Sequence, residues 1–115
     1  MNLPVFAISL VLSACASGPR FSGHTIASAQ LRADTSVFVI GIAKAKTGCD
    51  HVDSIDTEIL SVPNDIQGNK AGIIVGGGDT KERWVATACG KTSSTIVTFT
   101  PDGKGGSYMA VQPEK

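Results

Sequence analysis

Three cysteines and two histidines carry most of the reactive chemistry available to this chain of 115 residues. One stretch concentrates it: in Cys49-Asp50-His51-Val52-Asp53 an extended backbone puts Cys49, His51 and Asp53 on one face. A thiolate, an imidazole and a carboxylate are zinc ligands, and Cys89 can add a fourth from a second segment. The competing reading is a solvated histidine beside acidic neighbours on an edge strand. That reading is preferred, so no metal and no cofactor are assigned. His51, Asp53 and Asp56 are the grouping on which a small-ligand or enzymatic site would be built. Against catalysis, the hydrolytic patterns G-x-S-x-G and H-E-x-x-H are absent, and so is the redox pattern C-x-x-C. Gly76-Gly77-Gly78, followed by Asp79-Thr80-Lys81, lacks the lysine spacing of a phosphate loop and reads as a hairpin tip. His24 has no partner near it in sequence and reads as solvated. The chain is therefore expected to be non-enzymatic, with no catalytic residue.

Ten basic and ten acidic residues cancel, which leaves no electrostatic footprint for nucleic acid and no polybasic patch for an anionic membrane. The length suits one domain, and 42% hydrophobic with 17% charged residues suits a globular one. Residues 3–14 are almost wholly apolar and uncharged. Spanning a bilayer as a helix takes roughly 20 such residues, whereas a signal-peptide core takes roughly 7 to 15. The run closes on Leu12-Ser13-Ala14-Cys15, which resembles the lipobox of bacterial lipoproteins. The resemblance implies cleavage before Cys15, a diacylglyceryl group on its sulfur and an acylated amino group. At about 0.8 kcal/mol per buried methylene, two or three chains make a stable membrane anchor. Ala16, where an aspartate would favour inner-membrane retention, points to the outer membrane facing the periplasm. Met1-Asn2-Leu3-Pro4 lacks the usual Lys or Arg, which suggests a start codon further upstream.

With Cys15 modified, Cys49 and Cys89 remain as a pair for a structural disulfide in an oxidising compartment. The domain boundaries expected are a signal peptide over residues 1–14, a lipidated N-terminus and tether over 15–33, and a small α+β domain over 34–115.

Within that domain, residues 34–48 read as a short helix capped by Asp34 or Ser36 and stopped by Gly48, with Lys44 and Lys46 at its negative end. Residues 51–62 read as a strand, and 63–81 as a long glycine-containing connection in which Ile73-Ile74-Val75 adds a short strand. RWVATAC, STIVTFT and SYMAV, separated by Gly90-Lys91 and by Pro101-Asp102-Gly103-Lys104-Gly105-Gly106, read as three hairpin-linked strands. The fold class expected is thus α+β, a short helix on a three- to four-stranded antiparallel sheet with one disulfide. Alternation assigns Val85, Thr87 and Cys89 to the inner face, with Val97, Phe99, Met109 and Val111. Trp84, Ile96 and Tyr108 then fall together on the outer face, where they either cover the sheet by packing on the tether, the long loop or one another, or form a contact patch for a protein partner of the envelope.

LSAC, Thr47-Gly48-Cys49, ERWVATACGK and VTFTPDGKGGSYMAV together resemble small uncharacterised proteobacterial lipoproteins, over about residues 35–112. The resemblance implies a helix-plus-sheet domain and a lipidated Cys15, and it carries no chemistry beyond the anchor.

Overall fold

The computed structural model describes residues 18–63, 67–68, 74–75 and 78–115. The expected signal peptide, Cys15 and most of the glycine run lie outside the described residues. In chain order the elements are β1 (Arg20–Gly23), α1 (Ala29–Thr47), β2 (Ser54–Ser61), β3 (Gln67–Gly68), β4 (Ile74–Val75), β5 (Thr80–Ala88), β6 (Lys91–Pro101) and β7 (Ser107–Pro113). Five strands form one sheet in the order β1-β2-β5-β6-β7, and β3 pairs with β4 separately. The class is α+β, as expected, but the sheet has five strands rather than three or four and is mixed. Its parallel pair is β1 with β2, in register Arg20↔Ser54 to Gly23↔Thr57.

The parallel strand arises in the segment that reads as a tether. Adjacent parallel strands need a long crossover, and α1 supplies it, so β1, α1 and β2 form a β-α-β unit. Gly23 permits the pairing: its φ is 90°, and a Cβ there would collide with the Thr57 carbonyl. Ser28, not Asp34 or Ser36, caps the helix, its hydroxyl accepting from Leu31 N–H at 3.2 Å. Gly48 ends it in the left-handed conformation at φ 77°, its N–H donating to the Lys44 carbonyl at 2.9 Å, as the sequence predicts. The β-branched Val37, Val39, Ile40 and Ile42 are weak helix formers. Packing decides their conformation, because Val39 and Ala43 are fully buried against the sheet.

The core gathers Val39 and Ala43 of α1 with Ile55, Trp84, Ala86, Val97 and Phe99 of the sheet. Trp84 is at its centre, meeting Phe21 of β1 edge-on at 6.2 Å between ring centres. Arg32 lies over the outer face of the Phe21 ring at 4.6 Å. Beneath Trp84, the fully buried Glu82 carboxylate accepts from Trp84 Nε1 at 2.8 Å, from Thr25 Oγ1 at 2.7 Å and from the Ile26 amide at 2.8 Å. Three donors thus satisfy the buried acid and tie the β1–α1 connection to the middle of the sheet.

Strand β5 therefore has the phase opposite to the one alternation assigned. Glu82, Trp84, Ala86 and Ala88 face inward, while Val85 and Thr87 lie on the half-buried outer face. The inner-face assignments of β6 and β7 agree with the structure, since Trp84 pairs with Thr95, Glu82 with Val97, and Val97 with Val111. Cys89, which alternation groups with Val85 and Thr87, is not in the strand. It sits in the turn at φ 53°, where strand alternation no longer applies.

Candidate functional site

Two elements end at the same corner of the molecule. Gly48 halts α1 and hands the chain directly to Cys49, which is 5% exposed and whose N–H donates to Thr47 Oγ1 at 3.2 Å. Opposite it, Ala88 pairs with Lys91 across the two-residue turn Cys89-Gly90. Both turn residues have positive φ, 53° and 74°, the type I′ geometry whose twist matches a β-hairpin. Cys49 and Cys89 form the expected disulfide, with Cα atoms 5.8 Å apart and a sequence separation of 40. It staples the C-terminal end of α1 to the β5–β6 hairpin.

His51 stands beside this bridge. Its Nδ1 lies 3.6 Å from Cys49 Sγ and 2.8 Å from Asp50 Oδ1, and its Nε2 lies 3.3 Å from Asp53 Oδ1. Potential ligand atoms of Cys49, His51 and Cys89 all fall within 4.8 Å of one another. A hydrogen bond to Asp50, reinforced by the charge of Asp53, raises the His51 pKa above its ordinary value. The same hydrogen bond, with the imidazolium charge, holds Asp50 below the usual carboxylate range. Asp56 does not join the group. It faces outward on β2 opposite Val85 and accepts from Ser22 Oγ at 2.8 Å.

The residues expected to form a partner patch are not brought together. Trp84 is wholly buried in the core, so its indole is unavailable to a partner. Ile96 and Tyr108 do lie on the outer face, but Tyr108 pairs with Thr100, four positions along β6 from Ile96, roughly 13 Å away at strand spacing. The outer face is mainly polar. At its centre Arg83 makes a bidentate pair with Glu114, both N–O distances 2.8 Å, and also reaches Glu58 at 3.0 Å. Arg83 and the Ser94 hydroxyl together lower the Glu114 pKa to about 2, and Arg83 is raised further above its ordinary value.

The apolar surface that alternation does not reveal is on the other side. Phe38 and Ile42 of α1 with Met109 and Val111 of β7 line a groove of about 440 Å³. Phe38 is 55% exposed and its neighbour Val37 67% exposed. β7 is the last strand of the sheet, so its far edge has no partner strand among the described residues. The only sequence signal for this groove is a helix more apolar than one covered face requires. Among the described residues no helix is long and apolar enough to cross a membrane. No protein-family model, no curated protein and no solved structure matches the chain.

Proposed function

We propose that this chain is a lipid-anchored protein of the bacterial envelope, held through acylated Cys15 on the outer membrane and facing the periplasm, with a domain that is a non-enzymatic binding module. The observation that carries the reading is the Cys49–Cys89 disulfide. A persistent bridge suits an oxidising compartment, and it leaves Cys15, at the end of an apolar run in LSAC, as the remaining cysteine of three. The contact surface this geometry favours is the groove between α1 and β7, not the outer face. An extended segment of another envelope protein would add to the outer edge of β7, which has no partner strand among the described residues, placing alternate apolar side chains between Phe38, Ile42, Met109 and Val111.

The anchor is tested by the intact mass of the full-length product, extracted from bacterial membranes in detergent without reductant. Residues 15–115 plus acyl chains, less two hydrogens for the bridge, is the expected mass. An unprocessed, unacylated chain would overturn the reading. The surface is tested by photo-crosslinking from position 38, with position 96 on the outer face as the control. Crosslinks to an envelope protein from position 38 and not from 96 are expected, and the reverse pattern would refute the groove.

A further inference from the structure

We propose that reduction of the Cys49–Cys89 disulfide converts this corner into a binding site for a borderline-soft divalent cation of the zinc class, with both cysteine thiolates and His51 Nδ1 as ligands. The inference does not rest on the envelope assignment, in which the bridge persists; it concerns the state reached when a dithiol reductant opens the bridge. The donor set is the one such cations select, two thiolates and an imidazole from two separate segments. The geometry agrees with it. Zn–S bonds of about 2.3 Å and Zn–N bonds of about 2.0 Å at a tetrahedral centre put sulfur and nitrogen about 3.6 Å apart. Cys49 Sγ and His51 Nδ1 are 3.6 Å apart already.

The two sulfurs, once no longer bonded, need to separate to about 3.8 Å to share the ion. Side-chain rotation suffices for that from Cα atoms 5.8 Å apart. Metal-bound histidines ordinarily give their other nitrogen to a carboxylate, which fixes the ring. Asp53 Oδ1 occupies that position, 3.3 Å from Nε2. Asp50, whose side chain is 97% exposed, can swing from Nδ1 to close the tetrahedron. In the oxidised protein the sulfurs are bonded to each other and the site does not exist.

The chemistry balances with a dithiol as reductant. The protein S–S bond breaks as the reductant's two sulfurs join, and two electrons and two protons pass to Cys49 and Cys89. Coordination of the cation then releases those two protons to solvent.

The experiment uses the purified full chain, reduced anaerobically with a phosphine, freed of reductant and titrated with cobalt(II) alone as the spectroscopic probe. One equivalent is expected to produce the visible bands of a tetrahedral thiolate site, displaced by one equivalent of zinc. The disulfide form is expected to produce none. His51→Ala should weaken cobalt binding by at least about tenfold, and Asp53→Asn by about tenfold. Circular dichroism follows the fold throughout, and restoration of any lost structure by the metal counts as binding. Absence of stoichiometric cobalt in the reduced protein, or unchanged affinity in His51→Ala, would overturn the proposal.

Discussion

Replacing Cys49 and Cys89 together by alanine opens a loop whose ends are 40 residues apart. In the chain-entropy model, a loop of that length makes the bridge worth about 4 kcal/mol through the unfolded state. A single domain has only about 5 to 15 kcal/mol in total, so the variant should fold but with much of its margin gone. A second contribution is local to position 89, which sits at φ 53°. Alanine is disfavoured in that conformation by about 1 kcal/mol, whereas asparagine before glycine is a preferred type I′ pair. C49A/C89N should therefore recover about 1 kcal/mol relative to C49A/C89A. Urea denaturation followed by circular dichroism separates the two effects. Loss of the crosslink expands the unfolded chain and changes the denaturant slope as well as the midpoint. The two uncrosslinked variants share that expanded state, so their difference in midpoint reports the turn alone. If C49A/C89N were no more stable than C49A/C89A, the left-handed turn would not be what the hairpin requires. A total loss below about 1 kcal/mol would refute the loop-entropy argument itself.

Trp84→Phe removes the indole donor to Glu82 and leaves a void at the centre of the core. It should cost about 2 to 4 kcal/mol in thermal or chemical denaturation, and a neutral effect would contradict the placement. The Ser93 hydroxyl is buried with no hydrogen-bond partner among the described residues. Ser93→Ala should be neutral or stabilise by up to about 1 kcal/mol, and a clear loss by the same assay would reveal a partner for that hydroxyl. The Glu114 pKa falls from 4.5 to about 2 on folding, so its contribution is present above 4.5 and is lost as pH falls toward 2. Glu114→Gln should flatten the melting temperature over that acid window, and an unchanged acid profile would argue against the Arg83–Glu114 pair.

Local signals in this chain proved readable where a few neighbouring residues decide the outcome. Gly48 stops the helix because a left-handed residue closes its last turn, and Gly90 marks the β5–β6 reversal, although the turn pair is Cys89-Gly90, both at positive φ, one residue earlier than the expected Gly90-Lys91. The helix start was less legible. Several small polar residues offer caps, and Ser28 takes the role because residues 29–33 continue the turns that reach the sheet. The nearness of Cys49 to His51 is local and legible from their spacing, whereas Cys89 reaches them through a bond between residues 40 positions apart.

Three things were determined by the sequence alone: the hairpins linking β5, β6 and β7, the glycine stop after α1, and the pairing of Cys49 with Cys89. The first two depend on turn chemistry, and the third on the lipobox resemblance that sets Cys15 aside from the count of three. Only the tertiary structure decided that residues 20–23 form a parallel strand, that β5 buries Trp84 and Glu82, and that Phe38 and Met109 share a groove. The physical reason is the two-residue period of a strand. Alternation defines two faces but does not label them, and the label comes from what packs against each. Here α1 covers the face carrying Trp84, and its contacts with that face join residues distant in sequence.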